Sequence, residues 1–249
     1  MTTLLAMHGW AGDSRSWTAF AAAAAERSWP CRAGERGYGG QPPREPAWQG
    51  DDQQRVLIAH SLGMHLLPAK VLAAAEAVVL LASFGRFIPE GASGRRLRTA
   101  LAGMRAALTD SSEQARTMLG SFLAEATAPV PLDMLPCTIL DEPLQAVGVA
   151  RLIGDLELLE ATTGLPEAFP RDAPCLIVEA GADRIVAPEA SHALRGSLPH
   201  ADRLVLQGAG HALLATPVVP MVMGWIGCIG GQSADEIVER NLCRGTGRQ

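Results

Sequence analysis

Short apolar runs of strand length alternate with longer segments of helical periodicity along most of this 249-residue chain. The runs are largely apolar on both sides, which is typical of strands that are buried on both faces of a parallel sheet. We predict strands over these ranges: 3–7, 55–59, 77–82, 174–180 and 203–207. Helices are predicted over these: 14–27, 64–77, 187–197 and 216–226. The alternation predicts an α/β protein with right-handed crossover connections.

Residues 86–170 depart from this alternation, because they contain no convincing strand. Amphipathic helical stretches occur there over 95–108, 112–126 and 142–161. The block stands between two predicted strands, so we interpret it as a helical cap inserted into a core.

The predicted domain organisation follows from the position of that block. The core comprises residues 1–85 and 171–229, and the cap comprises residues 86–170. The polar tail, residues 230–249, is expected to be disordered.

Composition narrows the class of protein. Apolar residues make up 48% of the chain and charged residues 19%, as in globular proteins. The net charge of -5 argues against a general nucleic-acid binder.

No apolar run approaches the roughly 20 residues that span a bilayer, and the first residues lack the basic region of a signal peptide. The 5 cysteines form no CxxC pair. We therefore expect a cytoplasmic protein with no zinc site and no disulfide framework. Separately, we expect a monomer with no cofactor.

The strongest motif is Ala59-His60-Ser61-Leu62-Gly63, between a predicted strand and a predicted helix. A serine on such a turn projects its hydroxyl above the edge of the sheet. Ala59 stands where glycine is more usual. The N-terminus of the following helix would favour a developing oxyanion. Ser61 is therefore the predicted nucleophile.

Asp183 and His211 complete a catalytic triad in the chain order nucleophile, acid, base. Each follows a predicted strand, and open α/β sheets place their active sites at the carboxyl ends of strands. The histidine would take the serine proton, and the aspartate would fix the histidine tautomer. Asp155 and Asp202 are weaker candidates for the acid, because neither follows a strand.

The segment His8-Gly9-Trp10 follows the first predicted strand. A loop at this position can contribute one backbone N–H to an oxyanion hole, and the residue after the nucleophile contributes the second. The predicted donors are the N–H groups of Trp10 and Leu62, and the Trp10 ring would also wall the acyl pocket. We interpret His8 as a brace for the loop and His60 as a pocket or packing residue.

Four segments, HGW, AHSLG, GADRIV and GAGHALL, resemble landmarks of the α/β-hydrolase superfamily over about residues 3–226. More narrowly, the chain looks like the pimeloyl-acyl-carrier-protein methyl ester esterases of biotin synthesis. This narrower resemblance rests on the opening HGW, on the segment LASFGRF after the third strand, and on the cap segments SFLA and GDLELL. The resemblance implies a mainly parallel sheet flanked by helices, with an all-helical cap before the acid-bearing strand.

Three departures from that family are visible. The region between Gly40 and Arg55 is too short for the usual helix before the nucleophile strand. The usual leading hairpin is missing before the first strand. The cap arginines by which the family grips its carrier protein are not matched one for one.

The narrower resemblance also implies an activity. Such enzymes hydrolyse the methyl ester of a pimeloyl group on acyl carrier protein and release methanol. Carried over to this chain, the acyl site would be lined by Trp10, Ser61, Leu62, Phe122, Leu123, Ala124, Glu125, Ala126 and His211.

The cap segment 86–117 is locally basic, whereas acyl carrier proteins are acidic. Charge complementarity would steer docking to this segment. The candidate docking residues are Arg95, Arg96, Arg98, Arg105 and Arg116. A solvated helix face would have the same composition, so charge alone leaves both interpretations open.

Two other functions fit the sequence. A general carboxylesterase or lipase-like hydrolase of small free esters would use the same triad, because fold and triad do not determine the substrate. An inactive hydrolase fold that serves as a binding module belongs to another class, and the complete triad argues against it.

Overall fold

A computed structural model describes residues 2–50 and 52–229; the predicted disordered tail, 230–249, lies outside the described residues. Six strands form one sheet in the order β2-β1-β3-β4-β5-β6, and every neighbouring pair is parallel. The strands are β1 Thr2–Met7, β2 Cys31–Ala33, β3 Gln54–His60, β4 Ala77–Leu81, β5 Cys175–Ala180 and β6 Asp202–Leu206. The α-helices are α1 Thr18–Ala25, α2 Ala69–Ala73, α3 Gly91–Asp110, α4 Ser112–Thr127, α5 Ala146–Ala161, α6 Pro188–Ser197 and α7 Val218–Ile229.

The sheet separates two apolar layers because successive side chains of a strand point to opposite faces. In β1, Leu4 and Ala6 pack in the layer that contains α1 and α7. Leu5 and Met7 pack in the layer that contains α2 and α6. All six residues of β1 are buried, so the absence of polar alternation in its sequence reflects burial on both faces.

The register between β1 and β3 positions the functional loops. The pairing runs from Thr2 opposite Gln54 to Met7 opposite Ala59. Both strands therefore end at the same edge of the sheet. The loop that begins at His8 starts beside the turn that contains Ser61.

The predicted strands are confirmed, with each end within one residue. β2 was not predicted. It is only three residues long and half-buried at the edge of the sheet, so it has no apolar run to reveal it. The described residues between β2 and β3 contain no helix, as the short spacing predicts.

The predicted continuous helix 64–77 is wrong. A 3-10 helix covers Ser61–Leu66, the chain is extended at Leu67 and Pro68, and α2 is only five residues long. Proline lacks an N–H donor and disfavours helical backbone at the residue before it, which explains the break. The expected contribution of a long helix dipole at Ser61 is correspondingly smaller.

The helices between β4 and β5 form a third apolar layer over the carboxyl edge of the sheet. Leu101 of α3, Leu119 of α4 and Leu152 of α5 share one buried cluster with Trp10 and Leu62. Within the described part of residues 86–170 there is no strand, as predicted. The helices that the sequence assigned to a cap thus pack directly on the loop after β1 and the turn after β3.

Candidate active site

Ser61 lies on a tight turn directly after β3 and has a positive φ of 55°. This backbone conformation is uncommon for a residue with a side chain and costs about 1–3 kcal/mol, so the surroundings must enforce it. Two glycines permit the close approach. A Cβ at Gly9 would lie 2.7 Å from the Ser61 Cβ, and a Cβ at Gly63 would overlap the Met7 carbonyl oxygen.

The structure brings the three predicted triad residues together. The His211 Nε2 atom lies 2.9 Å from the Ser61 Oγ. On the other side of the ring, Nδ1 lies 2.9 Å from the Asp183 Oδ2. The Asp183 Oδ1 accepts hydrogen bonds from the backbone N–H groups of Ile185 and Val186, at 2.8 and 2.9 Å. The carboxylate is thus fixed on one side by backbone and on the other by the imidazole.

The charge of Asp183 follows from these contacts. Burial acts to raise its pKa, but the His211 ring and the two backbone donors outweigh burial and hold the pKa below its ordinary value. An ionised carboxylate only accepts hydrogen bonds, so the His211 Nδ1 must carry a proton. The His211 Nε2 is then free to accept the Ser61 hydroxyl proton.

The two weaker candidates for the triad acid, Asp202 and Asp155, bind groups outside the triad. Asp202 accepts a hydrogen bond from the Trp225 indole at 2.7 Å. Asp155 binds the Arg36 guanidinium and the Tyr38 hydroxyl. Neither contacts His211 in the described residues.

The Gly9–Trp10 peptide group is oriented by two hydrogen bonds to its carbonyl oxygen. Gly12 N–H and His8 Nδ1 approach the Gly9 oxygen at 3.1 and 2.9 Å. In a trans peptide the N–H points opposite to the C=O, so the Trp10 N–H is directed away from these donors. It has no acceptor within the described residues. This geometry fits the predicted oxyanion hole, whose second predicted donor, Leu62, lies on the adjoining turn.

His8 is buried beneath the loop, as its interpretation as a brace requires. Its Nε2 atom accepts a hydrogen bond from the Arg36 backbone N–H at 3.2 Å and lies 3.5 Å from the Glu35 carboxylate. Burial acts to raise the pKa of Glu35, but contacts with His8 and with backbone N–H groups prevail and lower it to about 2. Glu35 is therefore ionised at neutral pH, whereas the His8 ring is held by the Gly9 carbonyl oxygen at Nδ1 and by the Arg36 backbone N–H, which donates to Nε2.

A cavity of about 60 Å³ adjoins His211. Of the residues predicted to line the acyl site, Trp10, Phe122, Leu123, Ala126 and His211 line it. Ser61 and Leu62 are buried and do not line it.

Residues 122–126 of α4 were all predicted to line the acyl site, but they lie on two different faces of the helix. Ala124 and Glu125 lie on the exposed face of the helix, and Glu125 faces Arg184 at 3.5 Å. The structure therefore places these two predicted substrate contacts away from the cavity, unlike their neighbours Phe122, Leu123 and Ala126.

Much of the cavity wall consists of residues that were not predicted from the sequence. The additional lining residues include Asp13, Ser16, Leu135, Cys137, Thr138 and Leu214. Arg15 joins the part of this wall around Asp13 to the part around Thr138. Its guanidinium binds the Asp13 carboxylate and the Thr138 carbonyl oxygen. Residues 15 and 138 are 123 positions apart. No motif signals these residues, since none belongs to a recognisable catalytic pattern.

Trp10 connects the loop after β1 to the overlying helices. Its indole N–H donates to the Leu152 carbonyl oxygen of α5 at 2.8 Å. Its ring meets Phe122 of α4 edge to face, with centroids 4.8 Å apart. The loop and α4 therefore both contribute to the cavity wall, and α5 holds the Trp10 indole in place.

The five candidate docking arginines fall into two groups. Arg105 forms an ion pair with Glu160 at 3.0 Å, and Arg116 donates to two backbone carbonyl oxygens. The others, Arg95, Arg96 and Arg98, are exposed and have no ion pair among the described residues.

No helix in the described residues is long and apolar enough to cross a membrane. The same residues contain no group of three or more histidine, cysteine or acidic side chains arranged to hold a metal ion. The four described cysteines are free.

The parallel six-stranded sheet, with helices between its strands and the Ser61 turn at the end of β3, is an α/β-hydrolase fold. The sequence matches no protein-family model and no curated protein. Solved structures are similar at low identity. The esterase RhEst1 from Rhodococcus sp. ECU1013 is 21% identical, with a TM-score of 0.63 over 92% of this chain and 91% of that chain. An esterase from Exiguobacterium antarcticum is 14% identical, with a TM-score of 0.64 over 92% and 90%. An E-2-(acetamidomethylene)succinate hydrolase is 16% identical, with a TM-score of 0.62 over 91% and 92%. At such identities these similarities establish the fold alone.

Proposed function

We propose that this protein is a serine hydrolase of carboxylic esters. The observation that carries the proposal is the continuous hydrogen-bonded arrangement Asp183–His211–Ser61, with the serine on a strained turn after a sheet strand. An arrangement of this kind serves nucleophilic acyl transfer on unrelated folds. A binding module would have no need of a serine hydroxyl aligned on a buried imidazole.

Acylation would begin with attack of the Ser61 Oγ on the ester carbonyl carbon, while His211 Nε2 takes the hydroxyl proton. The carbonyl oxygen becomes an oxyanion, which the N–H groups of Trp10 and Leu62 would stabilise. The C–O bond to the alcohol then breaks, and the imidazolium returns the proton to the departing alkoxide. The products of this half-reaction are the free alcohol and an acyl ester of Ser61.

Deacylation repeats the sequence with water as the nucleophile. His211 takes a proton from water, the hydroxide adds to the acyl carbonyl, and the collapsing intermediate expels the Ser61 oxygen with that proton. Asp183 stabilises the imidazolium in both halves without accepting a proton itself. The acid product leaves and the free serine is regenerated.

Cavity size supports a short acyl or alcohol group. The cavity beside His211 measures about 60 Å³, which is small against the roughly 300–1,000 Å³ of typical small-molecule pockets. The wall is largely apolar, with Trp10, Phe122 and Leu135 among its residues. A small free ester is accordingly the substrate class that we propose first.

The methyl ester of pimeloyl-acyl carrier protein is the second candidate, and the exposed arginines favour it. Arg95, Arg96 and Arg98 carry three charges without ion pairs among the described residues, and an acidic carrier protein would complement them. The methyl group would suit a small cavity, and the pimeloyl chain would have to extend outside it. The reaction would release methanol in biotin precursor synthesis, in the cytoplasm.

The direct test is a comparison of two substrate sets with the wild type and Ser61→Ala. One set is p-nitrophenyl esters of increasing acyl length, and the other is the methyl ester of pimeloyl-acyl carrier protein. Hydrolysis of either set by the wild type, lost in Ser61→Ala, supports the serine hydrolase. No hydrolysis of any ester by the wild type would contradict it and would favour the binding module.

Charge reversal separates the two substrate candidates. Arg95/Arg96→Glu should reduce kcat/KM for the carrier-bound ester at least about tenfold and leave the free ester unchanged if α3 docks the carrier. Arg27/Lys70→Glu makes the same charge change outside α3 and serves as the matched control. Equal effects of the two double variants on the carrier-bound ester would refute docking at α3.

A further inference from the structure

His60 precedes the nucleophile, yet its side chain contacts the base rather than the serine. Its Nε2 atom lies 2.9 Å from the backbone carbonyl oxygen of His211. The two imidazole rings are tilted by 48°, with centroids 5.0 Å apart. The His60 side chain is half-buried and also lines the cavity. Two residues that are 151 positions apart are thus joined directly beside the triad.

The partner of the His60 Nε2 determines the tautomer. A carbonyl oxygen can only accept, so the Nε2 atom of His60 must carry the proton. The His211 carbonyl oxygen also accepts from the Leu213 N–H at 2.8 Å. Its two lone pairs are therefore both used, one by the backbone and one by His60.

Neighbouring segments hold the loop that carries His211, since the Ala182 N–H donates to the Ala209 carbonyl oxygen at 2.8 Å. The loop follows Gly208, which has a positive φ of 74°, and includes Gly210 directly before the histidine. Glycines give the backbone the greatest freedom, so this loop gains little rigidity from its own sequence. Beyond the histidine, the Ala212 N–H donates to the Ala126 carbonyl oxygen at 2.8 Å. His60 supplies the corresponding attachment at the histidine itself.

Neutrality makes His60 suitable for this position. Burial and the neighbouring His211 lower the pKa of His60 to about 3, against weaker opposing effects of its hydrogen bond and of Asp183. The ring therefore stays uncharged in the neutral and mildly acidic range. An uncharged ring places no positive charge beside an imidazolium that forms on His211.

We propose that His60 is a positioning residue, whose ring N–H fixes the His211 backbone so that the imidazole stays aligned with Ser61. The kinetic part of this proposal rests on the proposed ester hydrolysis. A positioning role differs from a pocket-lining role in the constant it affects. Misalignment of the base lowers kcat, whereas a changed pocket surface alters KM.

His65 offers a matched control, because it is also a half-buried histidine near the nucleophile. Its Nε2 atom lies 2.9 Å from a backbone carbonyl oxygen, that of Phe84, and does not contact the triad. Changes at residue 65 therefore report the structural cost of losing such a hydrogen bond without the proposed positioning effect.

Kinetics of four variants test the proposal. His60→Leu removes the donor and should lower kcat about tenfold to a hundredfold, with KM within about twofold of the wild type. His60→Gln keeps a side-chain N–H and should recover part of that loss. His65→Leu and His65→Gln should leave kcat unchanged. Wild-type kcat in His60→Leu, or an effect on KM alone, would overturn the proposal.

A spectroscopic measurement separates this proposal from the proposed function. In protein with ¹⁵N-labelled histidine, His60 should appear as the neutral Nε2–H tautomer throughout the neutral range. The low-field proton signal of the His211–Asp183 hydrogen bond should be present in the wild type and weakened in His60→Leu, but not in His65→Leu. A His60 in the Nδ1–H tautomer, or an unaltered signal in His60→Leu, would overturn the positioning role. These results do not depend on any ester being hydrolysed.

Discussion

Arg36 and Asp155 form a two-pronged ion pair, with Nε–Oδ2 and Nη2–Oδ1 distances of 2.8 and 2.7 Å. The Tyr38 hydroxyl donates to the same carboxylate at 2.6 Å. The contact fastens the loop after β2 to α5, one turn beyond the Leu152 carbonyl that holds the Trp10 indole. The wall of the candidate active site is therefore tied to a buried polar cluster outside it.

Breaking this pair should destabilise the fold. Removal of one partner of a fully buried pair costs about 3–5 kcal/mol, and we expect about 2–3 kcal/mol for Asp155→Ala because Arg36 is a third exposed. Urea unfolding measures the difference. Asp141→Ala, which breaks the more exposed pair with Arg15, should cost less than about 1 kcal/mol. Equal costs for the two variants would contradict the structural role of Asp155.

The hydroxyl of Tyr38 should titrate abnormally. Burial, and then the Asp155 carboxylate, raise its pKa well above the ordinary value of 10.0, although Arg36 opposes them. The chain has 1 tyrosine, so ultraviolet difference absorbance reports Tyr38 alone. The native protein should show no tyrosinate at pH 10, where the unfolded chain ionises.

The same shift predicts a pH dependence of stability. Above the unfolded pKa of Tyr38, the unfolded state loses a proton that the native state keeps, so the free energy of unfolding should fall as the pH rises. Tyr38→Phe should remove this part of the slope. A native titration midpoint near 10.0 would contradict the burial and bonding of the hydroxyl.

Asp183→Asn should leave the fold intact and impair catalysis. The amide can donate to the His211 Nδ1 and would favour the wrong tautomer, so kcat should fall roughly 10³- to 10⁴-fold. Asp202→Asn is the control, because that carboxylate binds Trp225 and lies outside the triad. Comparable losses in both variants would argue that Asp183 has no specific role.

The Asp183 carboxylate should become protonated only at a lower pH than an ordinary aspartate. The lowered pKa of Asp183 means that its stabilising contribution is complete above the ordinary aspartate range and is lost only as the pH falls through the native pKa. In Asp183→Asn this part of the acid destabilisation should be missing. Acid unfolding curves of the two proteins, followed by circular dichroism, test the difference.

Widening the cavity should change the preferred acyl length. Phe122→Ala removes the ring that packs on Trp10, so p-nitrophenyl esters with longer acyl chains should gain kcat/KM by about tenfold relative to the acetate. Leu101→Ala removes apolar volume from the same hydrophobic cluster without lining the cavity. The same change of preference in Leu101→Ala would contradict a direct role of Phe122 in selecting the acyl group.

Much of the fold was predictable, because buried parallel strands leave continuous apolar runs. β1 and β4 are buried at every position and were predicted to within one residue. β2 left no such run, since its three residues are half-buried. The predicted helix 64–77 failed because apolar periodicity continues across Pro68, while the backbone does not.

The candidate site divides in the same way. Ser61, Asp183 and His211 were predicted because each follows a strand in a local motif. The Arg36–Asp155 pair has no such signal, because its members are 119 positions apart and meet only through packing of α5. Local sequence patterns carry no information on contacts of that kind.

Covalent labelling identifies the nucleophile without any assumption about the substrate. A fluorophosphonate reacts with serines that an adjacent base activates, and mass spectrometry of the digested protein locates the adduct. We predict one adduct, on Ser61, absent in Ser61→Ala and formed much more slowly in His211→Gln. An unlabelled wild type, or an adduct on another serine such as Ser83, would contradict the assignment of Ser61 as the nucleophile.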